Sequence, residues 1–280
     1  MTTTRPRFYT TEAVVVRMSD LGEADRLLVL LTPGRGLMRA TARSARKPGS
    51  KLGGHLDLLC HVSISISTGR GLDTVSQADT LEGFRGLRDD LGRLSRGLYL
   101  AELAERFAVE EAASHGPFRL LVDTLRTLEK LPADAADSLL RWYELRMLGQ
   151  HGFAPQLQRC VDCESALEQK DHVYSAARGG IVCPNCRTRG DDPLLPAPVT
   201  VIKILRFLGR ATWPEAIGLK VGDDDRRMVE RVLRSHLHYV LDRDVKSTGF
   251  LDEVRKRLGV AEAAPEGDPP GDGARTGPQG

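Results

Sequence analysis

Two Cys-x-x-Cys pairs, Cys160/Cys163 and Cys183/Cys186, face each other across nineteen residues and hold four of the five cysteines in the chain. Each pair lets two thiolates converge on one ion, and the linker between them contains the turn-forming stretch Ala177, Arg178, Gly179 and Gly180. Four thiolates fill the tetrahedral shell of zinc and leave no position for water or substrate. The spacing therefore predicts one structural Zn2+ ion. A redox dithiol or an iron–sulfur cluster uses the same residue type. A single pair would suffice for redox work, however, and nothing else in the sequence points to electron transfer. His172, between the pairs, is expected to be a solvated linker residue rather than a ligand. The remaining thiol, Cys60, lies in the apolar run LDLLCHVSI and reads as core.

The second group is cationic. Between Asp25 and Asp57 there is no acidic residue, while the same interval carries Arg26, Arg35, Arg39, Arg43, Arg46, Lys47 and Lys51. In a strand starting at Leu37, the two-residue period places Arg39, Thr41 and Arg43 on one face and Met38, Ala40 and Ala42 on the other. The segment SARKPGSKLGG extends the charge on a flexible Pro/Gly/Ser frame. A basic strand face continued by a basic loop can follow a phosphate backbone, which makes Arg35, Arg39, Arg43, Arg46, Lys47 and Lys51 candidate nucleic-acid contacts. The same charges also suit a solvated face, or a barrel that docks an acidic protein partner. Aromatics are few: Phe8 and Tyr9 precede the first predicted strand and Phe84 follows the last. Binding is thus expected to run through phosphates, with weak sequence preference and steep salt dependence.

Enzyme signatures are missing. The chain has no G-x-x-x-x-G-K-[ST] phosphate loop, no G-x-S-x-G elbow and no H-E-x-x-H. His236 and His238 are two apart on a predicted helix and point to different sides, and Asp223 to Asp225 suit a helix start. A net charge of +2 is too small to imply a polyanionic partner by itself; the distribution carries that inference. The N-terminus lacks a signal-type apolar stretch, and no run reaches the roughly 18 apolar residues of a membrane span. A reducing cytoplasm is expected, where paired cysteines bind metal more often than they form disulfides.

These side chains must be placed by two kinds of element. Ala13–Arg17, Arg26–Thr32, Leu37–Arg43, Leu56–Ser67 and Leu72–Leu81 read as strands, and Val62, Ile64 and Ile66 alternate with Ser63, Ser65 and Ser67 as in a half-buried antiparallel strand. Five strands in so short a stretch fit a small closed barrel of the OB-fold type. After Phe84 the apolar spacing becomes helical, with helices expected through Leu91–Phe107, Leu120–Leu128, Asp137–Leu148, Pro198–Gly209, Asp223–Asp242 and Gly249–Leu258. The expected class is α+β and multi-domain: an OB-fold β-barrel over residues 1–82, then an all-helical part over 83–258 with a four-cysteine zinc hairpin inserted at 159–190. The Pro/Gly/Asp-rich segment 259–280 is expected to be disordered.

Several strings in this order resemble the RecO family of bacterial DNA repair proteins: ADRLLVLLTPGRGLMRATARSARKPGSKLGG in the barrel, GLYLAELAERF opening the helical part, GFAPQLQRCVDCE before the first cysteine pair, and GGIVCPNC at the second. The resemblance covers about residues 10 to 258. It implies an OB-fold followed by a helical domain, often with a zinc insertion, and a recombination mediator rather than an enzyme. It further implies binding of single- and double-stranded DNA, annealing of complementary strands, and loading of RecA with RecR and RecF onto DNA coated by single-stranded DNA-binding protein. The six cations named above would lie on the DNA face. In some relatives a helical-domain groove takes the C-terminal tail of single-stranded DNA-binding protein, and Arg126, Lys130 and Arg141 are candidate basic residues near one. Arg159, Arg178, Arg187 and Arg189 surround the cysteines and are candidates for a minor DNA contact. Work in the cytoplasm, at the nucleoid during repair, follows from the same resemblance.

Overall fold

The run Ala13–Val16 is apolar at consecutive positions because both of its faces are covered. Ala13 and Val15 point into a barrel, whereas Val14 and Val16 point out of it into a second core. The structure is a computed structural model and describes residues 7–69, 71–241 and 246–258; the expected disordered segment 259–280 lies outside those residues. Five strands, β1 (Phe8–Leu21), β2 (Asp25–Thr32), β3 (Gly36–Ala42), β4 (His61–Ser67) and β5 (Asp73–Glu82), close in the order β1-β2-β3-β5-β4. β1 pairs with β4 through its first half and with β2 through its second, and its register shifts between Val15 and Arg17. A short parallel contact of β3 with β5, Ala40 to Asp73 and Thr41 to Thr74, completes the closure. This is the OB-fold expected from the strand pattern.

Two strand boundaries differ from expectation. β1 is far longer than Ala13–Arg17, because two partners continue its ladder in both directions. Phe8 and Tyr9 therefore belong to the barrel wall rather than preceding it. Leu56–Cys60 is not part of β4: Leu59 takes a left-handed φ of 67° and donates its N–H to the Val15 carbonyl at 2.8 Å, which turns the chain before His61. The alternation of β4 is as expected, with Val62, Ile64 and Ile66 fully buried inside the barrel.

Helices follow: α1 (Arg85–Arg88), α2 (Leu91–Phe107), α3 (His115–Lys130) and α4 (Ala133–Gln150), then α5 (Val199–Arg210), α6 (Trp213–Ile217), α7 (Asp223–Leu241) and α8 (Lys246–Arg257) after the cysteine segment. Asp90 caps α2 by accepting the Arg93 N–H at 2.7 Å. α2 is the central helix, packed on α3, α4, α8 and the outer side of β1. Its polar residues enter a buried ionic cluster. Arg96 and Arg255 both reach Asp137 at 3.1 Å, Arg255 also reaches Glu230 at 2.7 Å, and Arg141 pairs with Glu144 at 3.1 Å. Burial alone would raise the Asp137 carboxyl, but Arg255 and Arg96 hold it below the usual carboxylate range. Arg141, a candidate for a surface groove in the sequence, is thus a buried structural residue.

Barrel and helices are joined at the β2–β3 turn. The segment 108–114, which follows α2, lies along this turn: Leu37 donates to the Val109 carbonyl at 3.3 Å and Ser114 donates to the Pro33 carbonyl at 2.8 Å. Gly36 sits between them at a φ of 61°, and a Cβ there would overlap the carbonyl oxygens of Val109 and Ala112. Gly36→Ala should therefore lower stability by about 2 kcal/mol in urea unfolding, since backbone cannot move aside as a side chain can. Gly34→Ala, where nothing lies within 4 Å of the new atom, should be close to neutral. Equal effects of the two substitutions would contradict this picture of the joint.

Candidate metal centre and nucleic-acid face

The cysteine segment is a small module with almost no core of its own. Strands β6 (His172–Ser175), β7 (Gly180–Val182) and β8 (Leu194–Ala197) form a sheet in the order β7-β6-β8, so the expected hairpin is part of a three-stranded sheet reaching beyond residue 190. On the sulfur side its buried set is Cys160, Val182 and Cys186, with Val161, Leu167 and Val173 packed against them, whereas Tyr174, Ile181 and Ala197 on the other side of the sheet join the core of the helical body. So small a cluster cannot by itself offset the entropy of ordering the two cysteine turns, which need a further link.

The four sulfurs supply the geometry for that link. Cys160 Sγ, Cys163 Sγ, Cys183 Sγ and Cys186 Sγ all lie within 4.8 Å of one another and can hold a metal ion. The Cys163–Cys183 sulfur separation is 3.7 Å. A tetrahedron with Zn–S bonds of about 2.3 Å has edges of about 3.8 Å, so the set fits zinc. Each pair is shaped by a tight turn: Glu164 donates to the Cys160 carbonyl and Cys186 to the Cys183 carbonyl, both at 3.0 Å. The Cys183 N–H points at Cys160 Sγ at 3.3 Å, as a thiolate acceptor requires. Hydrogen bonds from Ser165 bring the Cys163 thiol down to about 6, whereas burial and the neighbouring sulfurs push Cys186 up to about 12. Four thiolates this close repel one another, and a dication removes that repulsion.

Residues around the module are more committed than the sequence suggests. Arg178 pairs with Asp162 at 2.8 Å and with Asp192, so it ties the module together rather than facing a ligand. His172 is buried on β6 and donates Nε2–H to the Glu168 carbonyl at 3.0 Å; it is not a solvated linker residue. Arg159, Arg187 and Arg189 are exposed. Tyr174 fastens the module to the helices: its hydroxyl meets His236 Nδ1 at 2.7 Å, and His236 Nε2 meets the Phe153 carbonyl at 2.8 Å. His238 points the other way and is exposed, as its spacing from His236 predicts.

The cationic face lies on β3 and the turns after it. Met38, Ala40 and Ala42 fill the barrel, while Arg39 and Arg43 are exposed, as the two-residue period predicts. The segment after β3 is a chain of turns rather than an open flexible loop: Arg46 donates to the Ala24 carbonyl at 2.9 Å, Lys47 to that of Ser44 at 3.1 Å, and Ser50 to that of Lys47 at 3.0 Å. The six candidate cations fall into two groups. Arg35 meets Glu111 at 3.4 Å and lies over the Tyr9 ring, Arg39 meets Glu110 at 3.5 Å, and Arg46 meets Asp20 at 3.2 Å. Arg43, Lys47 and Lys51 are exposed and, among the described residues, have no ion-pair partner. An acid-free stretch in sequence is therefore not acid-free in space, because Glu110 and Glu111 arrive from the far end of α2.

A second basic feature is not legible in the sequence. A cleft of about 1110 Å³ opens between the end of α4, residues 154–158 and α5; Arg146, Lys203, Arg206 and Arg210 line it over Leu157 and Leu205, with no carboxylate in its wall. Its cations come from two helices separated by the whole cysteine module, so no sequence window shows them together. The wall at Gln156 is held by the module itself, through Gln156 N–H to the Gly179 carbonyl at 2.8 Å and Ile181 N–H to the Gln156 carbonyl at 3.0 Å. The two other candidate groove residues lie elsewhere. Arg126 is engaged by Glu82 and Asp123, each at 2.6 Å, and Lys130 is exposed at the end of α3.

Barrel, helical body and four-thiol module together define an OB-fold protein with a helical second part and a cysteine-bound insertion. Residues 7–84 match the family described as Recombination protein O N terminal, and residues 88–249 match Recombination protein O C terminal. DNA repair protein RecO of Roseiflexus sp. (strain RS-1) is 40% identical over 264 residues, covering 94% of this chain and 92% of the relative. DNA repair protein RecO of Desulforudis audaxviator (strain MP104C) is 35% identical over 257 residues, covering 91% of this chain and 99% of the relative. The chain belongs to the RecO family, which consists of recombination mediators in DNA repair rather than enzymes. No described helix is long and apolar enough to cross a membrane.

Because metal rather than core should order the two cysteine turns, chelation is expected to remove amide-exchange protection from Glu164, Cys186 and Arg189 while leaving β1 to β5 protected. The binding energy at stake is on the order of 10–16 kcal/mol in comparable small zinc sites. Unchanged protection of these turns after complete metal removal would contradict a structural ion.

Proposed function

We propose that this chain binds single- and double-stranded DNA on the outer face of β3 and the turns that follow, and anneals complementary strands. With RecR, and with RecF, it would help load RecA onto strands coated by single-stranded DNA-binding protein. The observation that carries this reading is the row Arg43, Lys47 and Lys51, three cations without an ion-pair partner among the described residues, beside Arg39 on a barrel flank. Arg35 and Arg46 extend the row once phosphate competes with their carboxylate partners. Cations set along a ridge hold phosphates of two strands and reduce their mutual repulsion, so that bases can meet. Few aromatics accompany them, and among the described barrel residues only Phe8 is a freely exposed ring, which favours weak sequence preference.

The division of labour follows from the same sites. Residues 1–82 act as the DNA-binding unit and 83–258 as the helical unit, with the insertion at 159–190 shaped by one structural Zn2+ on Cys160, Cys163, Cys183 and Cys186. The cleft beside α5, basic at its rim and apolar at its floor, is the site we assign to the acidic C-terminal tail of single-stranded DNA-binding protein. The protein would work in the cytoplasm, at the nucleoid during repair. A protein-interaction adaptor is the rival reading of the barrel, and the salt response of DNA binding separates the two.

Reversing Arg43, Lys47 and Lys51 together to Glu is expected to weaken single-stranded DNA binding by one to two orders of magnitude near 50 mM salt, with thermal unfolding unchanged. For the unmodified protein, with Arg35 and Arg39 engaged by Glu111 and Glu110, about four phosphate contacts imply a fall of roughly two orders of magnitude between 50 and 200 mM salt. Lys203→Glu with Arg210→Glu should instead spare DNA affinity and remove binding of an acidic tail peptide. An unaltered DNA affinity in the triple variant, measured by fluorescence anisotropy, would refute the barrel as the DNA site.

A further inference from the structure

The segment after α2 lays two carboxylates on the barrel face proposed to bind DNA. Glu110 reaches Arg39 at 3.5 Å and Glu111 reaches Arg35 at 3.4 Å, and both acids are more than half exposed. Ordinary surface ion pairs join long side chains that wander, but these acids stand on backbone that is fixed. Glu110 forms bridge pairs with Gly36 and Leu37, Val109 accepts the Leu37 N–H, and Ser114 bonds back to Pro33. Gly36 has no room for a Cβ because Val109 and Ala112 lie against it. Glu111 itself takes a φ of 60°, a left-handed conformation that a non-glycine residue adopts at a cost, and it does so while its carboxylate faces the Arg35 guanidinium.

We propose that Glu110 and Glu111 form an acidic latch that occupies Arg39 and Arg35 in place of phosphate and sets the DNA affinity of the barrel below what its cations alone would give. The inference rests on the barrel reading above and names its regulation. Exposed carboxylate–guanidinium pairs are weak, so a phosphate chain already held by Arg43, Lys47 and Lys51 can displace them one at a time. Two carboxylates fixed 3.4–3.5 Å from the cations they mask compete with every phosphate that approaches. Their effect is to keep strands exchangeable on the barrel, which annealing requires and tight coating would prevent.

The test is a salt titration of single-stranded DNA affinity for Glu110→Gln/Glu111→Gln, which keeps shape and removes charge. Affinity should rise about tenfold, and the slope of log affinity against log salt should steepen by about 1.4, since two more cations meet phosphate at roughly 0.7 each. Asp223→Asn/Asp224→Asn, the same charge change at the start of α7, gives the effect of net charge alone. A rise no larger than that control, or no rise, overturns the latch. If the Gln variant is silent while reversal of Arg43, Lys47 and Lys51 weakens binding by one to two orders of magnitude, the latch fails and the barrel site stands. If neither change matters, the barrel reading fails first.

Discussion

The structure depends on a seam at which the outside of the barrel changes from dry to wet. Val14, Val16, Val29, Leu31 and Leu37 turn outward and share one core with α2, α3 and α4. Along β3 that contact ends within one residue pair. Leu31 faces Leu37 inside the seam, Val29 faces Arg39 at its rim, and Leu27 faces Thr41 beyond it. Strand period two dictates that residues of one face stay on that face, so the apolar contact and the cations are successive stretches of the same surface. A barrel held rigidly at Leu37 thus presents Arg39 and Arg43 at fixed height above the helical body. The segment carrying Glu110 and Glu111 lies on this seam because Gly36 leaves it room.

The metal centre answers a different shortage. The helical body has a large core, which Tyr174, Ile181 and Ala197 of the module join, and a buried ionic cluster that joins α2, α4, α7 and α8, whereas the two cysteine turns bury too little to hold themselves. A dication among four sulfurs would supply that order and remove the repulsion among the thiolates. The consequence reaches beyond the module, since Gln156 and Leu157, paired to it or next to it, form one wall of the basic cleft. Shape maintained by metal at one place would carry over to the proposed ligand surface at another.

Much of this is legible in residue order, and the reasons are local. The alternation in β4, the two faces of β3 and the paired Cys-x-x-Cys turns each depend on neighbours within a few residues, and period or spacing displays them. What escapes depends on partners far along the chain. Glu110 and Glu111 reach the barrel from beyond α2, Arg141 is buried by acids on α4 and α7, and the cleft gathers cations from α4 and α5. His172 reads as solvated because its linker is polar, yet pairing of β6 with β7 and β8 buries it. Sequence pattern shortens β1 because its polar ends, FYTTE and RMSDL, are extended by pairing rather than by apolar period.

The central claim is that the β3 flank holds DNA while the cysteine module supplies shape. Amine reactivity mapped lysine by lysine, with and without single-stranded DNA, tests it most directly. Lys47 and Lys51 should lose reactivity when DNA is bound, whereas Lys130 at the end of α3 and Lys170 on the cysteine module should not. Protection of Lys170 with Lys47 and Lys51 left reactive would contradict the account.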